Sequence, residues 1–179
     1  FGNNNVWLGT AEGAFWHFNG STWSEFSQHT LTGYDRIVIE NIWGNSPNNI
    51  YAVGFAENYS TSDYRAVLMK YSGTKWDFVQ IPVLKLSFTN IRQQLSTGVF
   101  IIEAYDLSGI NNNNRLIIFN GKDLTEVNSG NYTTVIYEMN GEIYITMNRK
   151  IYKYLDAQLK LWKDVSSSFF RYGVYGRNE

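Results

Sequence analysis

The chain has no cysteine, so disulfides, thiolate metal sites and a cysteine nucleophile are all excluded. Charge is sparse: 17% of the 179 residues are Asp, Glu, Lys or Arg, and the net charge is −1. A chain this neutral carries no electrostatic footprint for nucleic acid or an anionic membrane. No apolar run approaches the roughly 18 residues that cross a bilayer as a helix. There are two histidines, His17 and His29, and neither has a partner at metal-ligand spacing. No His-x-x-x-His, Gly-x-Ser-x-Gly or phosphate-cradling glycine loop occurs. No cofactor and no metal are expected. The first residue is Phe1 rather than methionine, and an upstream segment is expected.

What the chain has in excess is aromatic residues, 17% of the total, with 6 Trp, 13 Tyr and 11 Phe. Such side chains suit a pleated, half-buried surface. Asn is also abundant, including Asn3 to Asn5 and Asn111 to Asn114, and Asn closes tight turns at low cost.

The pattern that organises these residues is an internal repeat. Phe1-Gly-Asn-Asn-Asn-Val-Trp-Leu-Gly-Thr matches Ile42-Trp-Gly-Asn-Ser-Pro-Asn-Asn-Ile-Tyr-Ala-Val-Gly, with looser copies at Ser96 to Ile102 and Met139 to Thr146. Taking Val6, Ile50, Val99 and Ile143 as equivalent gives spacings of 44, 49 and 44 residues. A second anchor follows in each copy: Phe18 to Trp23, Tyr71 to Trp76, Phe119 to Leu124 and Tyr154 to Trp162. Each anchor reads as strand, tight turn, strand.

Four strands per repeat follow. In the second repeat they are expected near Arg36–Trp43, Ile50–Phe55, Ala66–Tyr71 and Trp76–Ile81. In the fourth they are expected near Thr133–Met139, Glu142–Met147, Lys150–Tyr154 and Leu161–Val165. Four antiparallel strands in about 45 residues are the signature of a β-propeller blade. The expected fold is therefore all-β: one propeller domain over 1–179, with repeats at about 1–33, 34–86, 87–131 and 132–168. Residues 169–176 repeat the start of a blade, since Val174-Tyr-Gly176 matches Ile42-Trp-Gly44. They either close a four-bladed ring or begin a further blade of a larger one. Trp23, Trp76 and Trp162 are expected to be buried at equivalent places between blades.

Val6-Trp-Leu-Gly-Thr-Ala-Glu-Gly-Ala-Phe-Trp-His-Phe-Asn-Gly resembles the propeller repeat of bacterial two-component regulator sensors, and the second repeat resembles those of related exported bacterial propellers. Repeat three departs from the pattern at Gln93-Gln94, and repeat four lacks the second Gly turn. The resemblance implies an extracytoplasmic bacterial protein: periplasmic, on the cell surface or secreted.

Catalytic constellations are thin. Arg36, Arg92 and Arg171 lie on or near first strands and invite comparison with a sialidase-type arginine triad, but the accompanying Ser-x-Asp-x-Gly-x-x-Trp turn is missing. Glu40 and Glu138 are the best carboxylate pair, and Glu57-Asn58 or Asp106 with Asn111 to Asn114 the best calcium ligands. The longer connections between second and third strands, Ala56–Arg65 and Glu103–Arg115, are more informative. They belong to consecutive repeats and should emerge side by side on one face, where binding function concentrates. The expected ligand-binding residues are Tyr59, Tyr64, Tyr105, Arg36 and Arg92, with no catalytic residues. The expected function is non-enzymatic recognition or scaffolding, with a protein or glycan ligand and no nucleic acid. A lectin-like propeller is the alternative, and a glycan-acting enzyme ranks last.

Overall fold

The computed structural model describes residues 5–108, 113–130, 134–156 and 158–165. Within them the chain forms four antiparallel sheets in sequence order. Sheet one contains β1 (Val6–Gly9), β2 (Phe15–Phe18) and β3 (Trp23–Phe26). Sheet two contains β4 (Arg36–Ser46), β5 (Asn49–Asn58), β6 (Asp63–Tyr71) and β7 (Trp76–Phe78). Sheet three contains β8 (Ser87–Gln93), β9 (Phe100–Tyr105), β10 (Asn114–Phe119) and β11 (Leu124–Gly130). Sheet four contains β12 (Val135–Met139), β13 (Glu142–Met147), β14 (Lys150–Leu155) and β15 (Gln158–Asp164). Each sheet is a meander, the blade-like unit that the repeat predicts. The expected strand at 169–176 lies outside the described residues.

The first strands of consecutive sheets adjoin one another: β4 lies against β8, and β8 against β12. Among the described residues sheet one has no such strand, and its β1 lies against β4, where Ile39 N–H donates to Thr10 C=O at 3.0 Å. Among the described residues no comparable contact joins sheet four back to sheet one.

Strand alternation sends successive side chains to opposite faces, so sheets two and three each offer one face to the sheet before and one to the sheet after. Ile50, Ala52, Met69, Tyr71 and Trp76 of sheet two form one core with Phe15 of sheet one, and Trp7 and Phe26 pack on it. Tyr51, Val53, Ala66 and Leu68, on the other face of sheet two, form a core with Phe100, Ile102, Ile117 and Phe119 of sheet three. Ile101, Leu116 and Ile118 then meet Ile143, Ile145 and Tyr154 of sheet four.

Two glycines are fixed by this packing. A Cβ on Gly54 would lie 1.8 Å from Val38 C=O, beneath the bulge that Glu40 makes in β4. A Cβ on Gly9 would lie 2.3 Å from Ile39 Cγ2, at the junction of sheets one and two.

Three expectations are corrected. The residue of sheet three equivalent to Ile50 and Ile143 is Phe100, not Val99, because Phe100 faces the preceding sheet as they do. A one-residue slip would turn every side chain to the other face. Trp162 is not the counterpart of Trp76: Leu159 stands opposite Tyr154 as Trp76 stands opposite Tyr71, while Trp162 falls in a bulge of β15 and is 58% exposed. Trp23 does stand opposite Phe18 as Trp76 stands opposite Tyr71, yet it is 47% exposed against 3% for Trp76, since among the described residues no preceding sheet covers it.

Candidate functional site

The segment Ala56–Arg65, expected as a loop, is mostly strand. Glu57 pairs with Tyr64 and Asn58 with Asp63, so β5 and β6 run on past the predicted ends to a turn at Tyr59–Ser62. Asn58 Oδ1 accepts from Thr61 N–H at 3.0 Å and from the Ser60 hydroxyl at 2.8 Å, and Ser62 takes a left-handed φ of 52°. An Asx turn of this kind replaces the ladder where the strands end. The polar composition hid the strand extension.

The β9–β10 connection begins at Asp106 and meets this hairpin. Tyr64, on β6 and buried, donates its hydroxyl to Asp106 Oδ1 at 3.0 Å. Ser108 N–H donates to the same carboxylate oxygen at 2.9 Å, and Arg115 Nη2 stands 4.0 Å from Oδ2. The Ser108 hydrogen bonds, with Tyr64 and Arg115 behind them, hold the Asp106 carboxyl below the ordinary range. Burial first, then Asp106, holds the Tyr64 phenol above its ordinary value, so Tyr64 remains a donor at neutral pH. The two connections of sheets two and three are thus neighbours, tied by one charge-assisted hydrogen bond.

Between them lies an open groove of about 400 Å³, lined among others by Phe55, Glu57, Tyr59, Asp63, Tyr64 and Leu107. Tyr59 is 61% exposed and Leu107 41%. Tyr59 is positioned from both sides: its N–H donates to Asp35 Oδ2 at 2.6 Å, and the Arg36 guanidinium lies 5.5 Å from its ring centroid. Arg36 in turn donates through Nε to Glu57 Oε1, which fixes its planar head beside the groove. Of the five expected site residues, the structure brings together Tyr59, Tyr64 and Arg36. Tyr105, at the end of β9 opposite Ser87 and Asn114, does not line this groove.

Arg92 stands elsewhere. It is on β8, and its Nη1 donates to Asn41 Oδ1 at 3.0 Å, Asn90 Oδ1 at 2.8 Å and Ile91 C=O at 2.6 Å. Asn41 lies five residues along β4 from Arg36, roughly 16 Å at strand rise. The two arginines therefore do not converge, and Arg171 lies outside the described residues. Glu40 occupies the β4 bulge, and Glu138 accepts from Gly141 N–H at 3.0 Å.

The constellation around Arg92 contains a residue that sequence reasoning missed. Glu103, on β9 and 8% exposed, accepts from Asn90 Nδ2 at 3.0 Å. Asn90 thus turns its oxygen to a guanidinium, which only donates, and its amide to a carboxylate, which accepts. Glu103 Oε1 is buried without a well-formed hydrogen bond, although the Thr134 hydroxyl and Ile136 N–H lie near enough to favour the charged form. Burial outweighs these neighbours and pushes the Glu103 carboxyl up, and burial likewise lowers Arg92. The signal in the sequence was a lone Glu in the apolar run Phe100 to Ala104.

Among the described residues neither histidine belongs to a group of side chains that could hold a metal ion. His17 stacks on Trp7 with centroids 4.2 Å apart and meets Asn5 Oδ1 at 2.7 Å, and burial lowers its pKa. His29 lies between Gly13 C=O and Trp76 C=O at 3.1 and 3.2 Å. No protein-family model matches the chain, and no curated protein matches it.

Proposed function

We propose that the four sheets are blades of a propeller-type array, and that the chain is a non-enzymatic recognition module of an exported bacterial protein. The array is supported by the adjoining first strands β4, β8 and β12 and by the identical face-to-face order of the three junctions. The groove between the β5–β6 turn and the β9–β10 connection receives a protein segment. The observation that carries this reading is the exposure of Tyr59 and Leu107 in one groove above the buried Tyr64–Asp106 bond. An amphipathic aromatic and an aliphatic side chain on a rigid base provide contact area at low entropic cost. Glu57, paired with Arg36, and Asp63, paired with Lys85, give the groove a polar rim of ion pairs.

The test is selection from a displayed random-peptide library on the immobilised chain. Peptides enriched on the chain and lost on a Tyr59→Ala, Leu107→Asp double variant support the reading. Peptides retained equally by both move the site away from this groove. A glycan array run in parallel addresses the second reading, a lectin-like module. That reading draws on Tyr59 as a stacking platform with Asn58 and Asp63 as hydrogen-bonding groups in the same groove. Glycan capture lost with Tyr59→Ala, without peptide capture, favours it.

A further inference from the structure

Sheet two has a gap at its outer edge. Its fourth strand, β7, has 3 residues, against 7 in β11 and 7 in β15, so β6 runs on without a full outer partner. Beyond Phe78 the chain is tied to β6 at two points: Val79 N–H donates to Leu68 C=O at 2.8 Å, and Ala66 N–H donates to Leu84 C=O at 2.9 Å. Between them Gln80-Ile81-Pro82-Val83 leaves the strand, and Pro82 has no N–H with which to rejoin a ladder. A cavity of about 110 Å³ lies at this departure. Leu31, Val67 and Phe78 line it on the side of the core shared with sheet one, Gln80 and Ile81 line the departing chain, and Arg65 puts a charge in its wall.

Arg65 differs from the other half-buried arginines. Arg36 has Glu57, Arg115 has Glu126, and Arg92 is held by three oxygens. Among the described residues Arg65 has neither a carboxylate at ion-pair distance nor a hydrogen bond, and its Nε is closed off from solvent without an acceptor. A guanidinium cannot shed its charge, so a half-buried one without a partner is costly. The nearest acidic residue along the strand does not serve it. Asp63, two residues earlier and on the same face of β6, is taken by Lys85 at 2.7 Å.

We infer that this cavity binds a carboxylate carried on a short aliphatic stem, the carboxylate on the Arg65 guanidinium and the stem against Leu31, Val67 and Phe78. Guanidinium and carboxylate match as two planar forks, and the ligand supplies the charge that the chain does not. Volume sets the length of the stem. An apolar cavity of about 150 Å³ takes up benzene, which has six heavy atoms. In proportion, about 110 Å³ takes four or five, the size of acetate or propionate. The same groups end the side chains of Asp and Glu, so the carboxylate comes either as a free short-chain acid or on an acidic side chain of a protein segment. The cavity shares no lining residue with the Tyr59 groove, and the inference does not rest on that groove.

Titration of the 179-residue chain with sodium propionate, followed by amide NMR, tests this. The amide shifts of Val67, Gln80 and Ile81 should move together and saturate in the millimolar range expected of so small a ligand. Propionamide, of the same size without the charge, should bind at least about tenfold more weakly. Arg65→Gln should abolish the saturable shift with an unchanged β-type circular dichroism spectrum. Leu31→Phe narrows the cavity and leaves the guanidinium in place, so it should weaken propionate by about tenfold or more, and it reads the same site should Arg65→Gln not fold. The absence of a saturable shift in the wild-type chain overturns the inference. So does equal binding of propionate and propionamide, which would show an apolar cavity only, or propionate binding that survives both substitutions. A capped Gly-Glu-Gly peptide added to the propionate complex separates the two sources. Displacement of propionate assigns the site to acidic side chains of a protein segment, and propionate binding without displacement assigns it to free short-chain acids.

Discussion

Trp76 of sheet two lies stacked on Phe15 of sheet one, ring centroids 4.0 Å apart and planes 9° from parallel. The same indole meets Trp7 edge-on at 5.5 Å, so one residue holds both a strand–turn–strand anchor and a junction between sheets. Trp76→Ala should cost on the order of 3–5 kcal/mol, the range for large aromatics removed from a core. Trp23→Ala, at the equivalent but largely exposed position, should change stability by less than about 0.5 kcal/mol. Urea unfolding of the two variants side by side checks the contrast. Equal losses would mean that the sheet-one face is covered within the chain.

Gly54 is a second point at which the fold tolerates no addition. Its backbone passes beneath the Glu40 bulge, where a methyl group would overlap Val38 C=O at 1.8 Å. The neighbour is backbone and cannot rotate away. Gly54→Ala should therefore cost at the upper end of overpacking effects, about 3 kcal/mol or more, or leave no cooperative unfolding transition. A transition within about 0.5 kcal/mol of wild type would show that β4 and β5 separate more easily than their ladder implies.

Tyr64→Phe removes one hydroxyl and nothing else. Asp106 keeps its bond from Ser108 N–H, so the cost should be about 1.5–3 kcal/mol, the usual net worth of a bond to a charged group. The informative readout is local. Amide exchange at Leu107 and Ser108 should quicken while that of Val67 and Leu68 in the core stays slow. Unchanged exchange at Leu107 would show that the groove wall is held by something other than Tyr64.

Fold class and strand order were legible because turn residues and aromatic alternation recur four times. The ends β13 Glu142–Met147 and the start of β7 at Trp76 fall where the pattern puts them. Facing was not legible. Val99 and Phe100 are adjacent apolar residues, and only the packing between sheets shows that Phe100 faces sheet two while Val99 packs toward sheet four. The Trp residues misled for a related reason. Trp23 has the neighbours of Trp76 along the chain, but burial depends on a sheet that local sequence does not describe. Site residues divide the same way. Tyr59 and Arg36 come together because both flank one hairpin, whereas Arg92 belongs with Glu103 through Asn90, a pairing set by register.

That pairing gives a pH-dependent prediction. Glu103 is 8% exposed, and burial holds its carboxyl above the ordinary value of 4.5, which it regains in the unfolded chain. The folded state then keeps the proton to higher pH than the unfolded state does. Stability from this residue is therefore fully present in acid, below the ordinary value, and falls as pH rises through the raised one. Glu103→Gln keeps the side chain neutral throughout. The variant and the wild type should have the same urea midpoint at the acid end of a series between about pH 4 and pH 8, and the variant should lead by about 1–3 kcal/mol at the alkaline end, the cost of a buried polar atom left unpaired. The alternative outcome is equally readable. A wild type more stable than Glu103→Gln at the alkaline end would mean that Arg92, acting through Asn90, stabilises the charged carboxylate by more than burial costs it.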